Sequence, residues 1–318
     1  MSNVGTPRSG LLFGLTAYTL WGVFPLYFIQ MEFASAVEIV ANRVIWSLAL
    51  CALILAATRH LGDLRRILGD RRQLGYLIIA AVFISLNWTG YVYAANNGQV
   101  LQASLGYFIN PLVTVVLAVI VLRERLRALQ WTAVALALVA VLCIGIAYGH
   151  PPWLSLLLAF SFGFYGLAKK FAGRHTGAVQ SLTIETLLLT PVALLVLAWL
   201  AYKGQTHFTS DGISSTLLLI STGLATTVPL ASFAAAARRL PLSTIGMLQY
   251  IAPTLQFIIA VAVVHEPMSP LRWVGFVLIW IALGIFTADA VLASHRGRRA
   301  ARREAEREAL EAMTQEVH

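Results

Sequence analysis

Two side chains that carry charge at neutral pH lie inside runs of apolar residues, Arg43 in the run 37–57 and Glu185 in the run 178–200. An ionisable group at membrane depth costs about 2.5–3.5 kcal/mol on insertion scales, so it is kept for a partner or a task. The two are 142 residues apart, an offset at which Pro111 also falls on Pro253, Glu124 on Glu266 and Trp131 on Trp273. Equivalence with opposite sign predicts that Arg43 and Glu185 pair across an internal symmetry axis, as a gate or as charges offered to a substrate. A permanent pair holding two helices together accounts for them equally well.

A second set is polar and aromatic. Tyr18 and Trp21, Asn87 and Tyr91, and Tyr107 and Asn110 are three or four residues apart, so each pair shares a helix face. Phe162 and Tyr165 answer the first pair in the second half of the chain, Gln249 answers Tyr107, and Gln256 follows one heptad later. Together with Arg43 and Glu185 these residues suit a cavity that holds an amphipathic or aromatic solute by stacking and a few hydrogen bonds. Taken singly, each has a plainer role, an aromatic at the headgroup belt or an amide that glues helices. Pro111 and Pro253 each remove a backbone hydrogen bond and are candidate hinges, with Gly106 and Gly246 just ahead of them; a fixed kink is the alternative. Glu124 and Glu266 close the runs that follow these prolines and are expected to play matching structural roles.

Other chemistries lack their residues. Cys51 and Cys143 sit in apolar runs without metal-ligand spacing, and the seven histidines fall in loops, tails or run ends with no HExxH. No GxSxG elbow or Walker loop occurs, so no cofactor or metal is expected. An intramembrane enzyme, a receptor or a channel are the alternatives to a carrier.

The elements that must position these residues follow from composition. At 58% hydrophobic and 12% charged, the 318-residue chain carries about half the charge of a soluble domain, and its apolar residues recur in runs of about 20. Ten spans are expected, over 9–29, 37–57, 73–95, 101–122, 128–148, 152–170, 178–200, 212–236, 242–264 and 271–292. Twenty Lys and Arg fall on one set of alternating connections and both termini, and two, Lys203 and Arg272, on the other. Basic connections stay cytoplasmic, which predicts both termini inside and explains the net charge of +9 without a nucleic-acid partner. The 142-residue offset divides the chain into a five-helix repeat at 1–150, a second at 151–294 and a charged cytoplasmic tail at 295–318. Because five is odd, the second repeat enters the membrane inverted, the arrangement of carriers that expose a midplane site to each side in turn. The fold class is therefore an all-α membrane protein of ten transmembrane helices in two inverted five-helix repeats.

Asn42-Arg-Val-Ile-Trp-Ser47, the stretch Ser85 to Pro111 and Gly246-Met-Leu-Gln-Tyr-Ile-Ala-Pro253 resemble the RarD (chloramphenicol-sensitive protein) branch of the EamA family in the drug/metabolite transporter superfamily. The resemblance covers residues 9–290 and implies a bacterial inner-membrane permease of small organic solutes or drugs, working as an exporter. The expected function is secondary transport by alternating access, with a small-molecule substrate, a proton or countersolute as coupling partner, and membrane lipid around the bundle. Gly145 and Gly149 offer a small-residue contact that fits packing inside one bundle or a homodimer.

Overall fold

The computed structural model describes residues 7–123, 126–172, 177–209, 212–237, 239, 240, 244, 248–289 and 292, and the described residues are helical with short connections. In chain order the helices are α1 (Pro7–Ile29), α2 (Ala36–Ala57), α3 (Leu61–Gly69), α4 (Arg71–Asn96), α5 (Val100–Leu122), α6 (Ala128–Tyr148), α7 (Trp153–Ala172), α8 (Ala178–Tyr202), α9 (Ile213–Ala237), α10 (Ile251–Ala262) and α11 (Pro270–Asp289). Among the described residues all but α3 and α10 are long and apolar enough to cross a membrane. At 1.5 Å per residue, 20 residues cover about 30 Å, which is why the apolar runs and the helices coincide to within a few residues.

Helix ends follow local chemistry. Ser35 accepts from the Glu38 amide to start α2, Asp70 accepts from the Arg72 and Gln73 amides to start α4, and Gly149 ends α6 in the left-handed region at φ 73°. The connection after α2, expected as a loop, contains α3, whose Leu64 and Ile67 pack with Leu77, Ala172 and Ile184. Nine residues with one apolar edge are too short for a span, although the amphipathic pattern of Leu61, Leu64, Ile67 and Leu68 is regular. The span expected over 242–264 carries a turn among its described residues. Gln249 and Tyr250 form a turn and α10 begins at Ile251.

The helices interlock reciprocally. α1 packs on α9 and α10, while α7 packs on α4 and α5; α2 crosses α8, and α5 crosses α10. Exchanging the first five apolar runs with the last five leaves this set of contacts unchanged. α2 and α8 run antiparallel: Glu38, at the start of α2, meets residues 206–208 just beyond the end of α8, whereas Cys51 lies beside Thr183 near its start. Two apolar cores result, one centred on α1, α2, α4 and α9, the other on α5, α6, α10 and α11.

Candidate functional site

Arg43 lies seven residues into α2, about 10 Å below the end of the bundle that carries Glu38. It is 4% exposed. Its guanidinium carbon stands 4.3 Å from the Trp88 ring centre on α4, and 5.6 and 5.9 Å from Phe28 and Phe24 on α1. Its Nε donates to Thr226 Oγ1 on α9 at 2.7 Å, and Thr226 passes its own proton to the Thr222 carbonyl. The phenol groups of Tyr27, Tyr91 and Tyr107 lie within electrostatic reach. Among the described residues no carboxylate forms an ion pair with Arg43 and no acceptor takes its terminal N–H groups. Aromatic faces attract the cation, a contribution of about 2 kcal/mol when desolvated, but offer its N–H groups no conventional acceptor.

From this box a line of rings crosses the bundle. Phe28 meets Tyr91 at 5.9 Å, Tyr91 meets Tyr107 at 5.8 Å, Tyr107 meets Phe162 at 6.1 Å and Phe162 meets Tyr165 at 5.8 Å. The Tyr107 hydroxyl donates to Asn87 Oδ1, and Asn87 Nδ2 donates to the Leu158 carbonyl and Ser161 Oγ, which ties α4, α5 and α7 together. Asn110 donates to the Ala159 carbonyl, so this amide and Asn87 are helix glue as well as neighbours of the ladder. The Tyr91 hydroxyl is buried without a hydrogen-bond partner.

The ladder ends at Glu185, which is 1% exposed. Glu185 accepts from Lys169 Nζ at 2.6 Å, Ser181 Oγ at 2.7 Å and the Tyr165 hydroxyl at 3.3 Å, and Lys169 also donates to Ser181. The expected Arg43–Glu185 pair is therefore not formed. Symmetry about an axis in the membrane plane makes residues equivalent at mirrored depths and brings them into contact only at the axis itself. Taking the level of Cys51 against Thr183, Glu185 lies roughly 9 Å further along the bundle than Arg43, at 1.5 Å per residue on each helix. Each charge meets different partners at its own depth.

Both ends of the bundle are tied across the two groups of helices. Glu38 is fully buried and accepts from the His207 amide at 2.7 Å, the Thr206 hydroxyl at 3.2 Å and the Phe208 amide at 3.3 Å; its other oxygen is 2.8 Å from His207 Nδ1. Phe208 stacks on Trp46, so residues 206–208 form a strap above Arg43. At the same end both Glu266 carboxylate oxygens accept from the Leu101 amide at 3.1 Å, capping α5, and Arg272 lies 4.0 Å from the Tyr148 ring. Burial pushes the Glu266 carboxyl up to about 7 from its ordinary 4.5, against the opposing pull of the Leu101 and Val100 amides and Arg272. At the opposite end Arg127 pairs with Asp289 at 2.6 Å and Tyr76 stacks on Phe171.

The remaining expected residues separate from this arrangement. Tyr18 sits in a satellite cluster with Trp21, Phe233 and Ala252. Gln256 donates to the Trp21 carbonyl, its own carbonyl oxygen is unpartnered, and Gln249 is half-buried in the turn before α10. Pro111 lies inside an unbroken α5, and Pro253 falls in the first turn of α10, just after the turn at Gln249 and Tyr250, with its carbonyl accepting from Ser104. Gly106 is a packing position rather than a flexible one, since a Cβ there would meet the Ser155 carbonyl oxygen at 2.7 Å. Gly145 faces Pro152 of its own chain. Glu124, Gly246 and the tail 295–318 lie outside the described residues.

Residues that sequence reasoning passed over include Trp88, Thr226, Glu38, His207 and Lys169. Trp88 stands beside Asn87 in the stretch Ser85–Pro111, and a Trp more than two turns inside the helix is a usable signal; Lys169 counts as a connection charge in the sequence because its apolar run stops one residue later.

The EamA-like transporter family model matches residues 8–146 and 152–288. Protein RarD of Streptomyces exfoliatus is 50% identical over 291 residues, covering 92% of each chain. A Pseudomonas aeruginosa protein described as an uncharacterized transporter is 43% identical, covering 89% of this chain and 94% of that one. A solved structure titled only as the crystal structure of a protein superposes with a TM-score of 0.58 at 18% identity, covering 91% of this chain and 98% of the other, a likeness of fold alone.

Proposed function

Since the chain belongs to the EamA-like transporter family, a premise that makes it a multi-pass membrane transporter, we propose that it is a secondary carrier exporting small organic solutes by alternating access. The observation that carries this reading is the reciprocal packing: the first helix of each five-helix group rests on the third and fourth spans of the other, while α2 and α8 cross. That pattern supports two inverted repeats over 1–150 and 151–294, as does the match of the family model to two successive segments. Such repeats rock against each other about a fixed site. The solute chamber is the Arg43 box and the aromatic ladder leaving it. The strap 206–208, held by Glu38, is the outer gate, because the arginine distribution assigns the Glu38 end to the outside and both termini to the cytoplasm. With both ends tied, the arrangement corresponds to an occluded step of the cycle. Lys169 neutralises Glu185 within its own repeat, so Glu185 does not serve as the free carboxylate of a proton-coupled cycle, and exchange against a countersolute fits better.

The purified chain in proteoliposomes, offered radiolabelled amino acids, amphipathic drugs and organic acids with and without a pH gradient, is expected to give saturable flux and counterflow absent from protein-free liposomes. Flux that never saturates or shows no counterflow would point to a channel and end the reading.

A further inference from the structure

The geometry points to a substrate bearing a single negative charge on an apolar or aromatic body, a monocarboxylate, with the carboxylate bound by Arg43 and the body lying along the ladder of Tyr91, Tyr107 and Phe162. This rests on the carrier reading above and adds the substrate class to it. Of the two charges that the sequence sets deep in apolar runs, Glu185 is satisfied internally by Lys169, Ser181 and Tyr165, whereas Arg43 meets rings and one threonine. Rings around a guanidinium ease its desolvation but do not meet its hydrogen bonding. The edge donors that remain form the fork that matches a carboxylate bidentately. The buried, unpartnered Tyr91 hydroxyl supplies a further donor beside the same box. Both are donors that no protein group takes, and for the buried Tyr91 hydroxyl that is costly unless something is brought in to accept. A neutral or cationic solute would leave them unmet. A dianion would bring one charge more than the single unpaired cation neutralises. Beyond the box, ring spacings of 5.8 to 6.1 Å give the body of the solute a continuous apolar wall towards Phe162.

The test uses the full chain in detergent and matched pairs of probes: acetate, phenylacetate and indole-3-acetate, each beside its uncharged primary amide, read as thermal stabilisation against concentration. Phenylacetate and indole-3-acetate are expected to bind at least tenfold more tightly than their amides and than acetate. Arg43→Gln is expected to abolish that preference, and Arg43→Lys to keep part of it, since one charge remains without the fork. Should Arg43→Gln fail to fold, the wild-type acid-against-amide comparison still decides. No acid outbinding its amide would overturn the assignment, as would chloride alone saturating the site when exchanged for gluconate. Saturable flux of neutral or cationic solutes only, unchanged in Arg43→Lys, would sink the anion site and leave the carrier standing. Acid binding that depends on Arg43 without saturable flux or counterflow would do the reverse.

Discussion

Glu266 is a carboxyl outside the spans whose burial raises its affinity for a proton, and it sits where α5 begins. Burial raises its affinity for a proton in the folded chain to about 7 from 4.5, so the folded state keeps a proton that the unfolded state has released. That contribution to stability is complete below pH 4.5 and is lost as pH rises through 7, amounting to about 1–2 kcal/mol once partial exposure is allowed for. Melting wild type and Glu266→Gln in detergent at pH 5.5 and 8.5 is expected to show the wild type losing ground to the variant at the higher pH; parallel shifts would refute it. At this scale the sequence was most informative about depth and least about partners. Arg43 and Glu185 stood out as charges in apolar runs, but the choice of partner depends on which residues share a level across helices. Lys169 reaches Glu185 on a four-carbon stem from the last turns of α7, and nothing in its spacing announces this.

Helices approach one another closely here where glycine permits it, and this constrains the elements more tightly than the prolines do. A Cβ on Gly106 would lie 2.7 Å from the Ser155 carbonyl oxygen and 3.0 Å from Leu158 Cβ, whereas Gly75 of α4 faces open space. Gly106→Ala is therefore expected to push α5 from α7 and cost about 1–3 kcal/mol, while Gly75→Ala is neutral or slightly stabilising. Thermal melts of the two variants that shift equally would remove the packing argument. The helices themselves were legible because a bilayer demands apolar stretches of one length, and most boundaries agree with the structure. The exceptions obey other rules: α3 is an edge-apolar helix of nine residues, and α10 starts at a turn that hydropathy does not register.

For the molecule as a whole, the two groups of helices touch through surfaces that exchange cleanly, and the ties at the two ends are chemically different. The Glu38 end is closed by one buried carboxylate gripping three successive residues of the 206–208 strap; the other end is held by an ion pair and stacked rings at its rim. The strap was not legible in the sequence, because a Glu in the first turn of a helix and a His in a connection are ordinary residues until the fold sets them 2.8 Å apart. If alternating access requires this end to open once per cycle, pinning it stops transport without touching Arg43. Glu38→Cys and His207→Cys, combined in a chain with Cys51→Ser and Cys143→Ser and joined by a short methanethiosulfonate cross-linker, are expected to lower counterflow at least tenfold, with recovery on reduction. Each single cysteine treated alike should retain the rate of its untreated form. A cross-linked double variant that transports as fast as before would mean that the strap is scaffold and that solutes pass by another route.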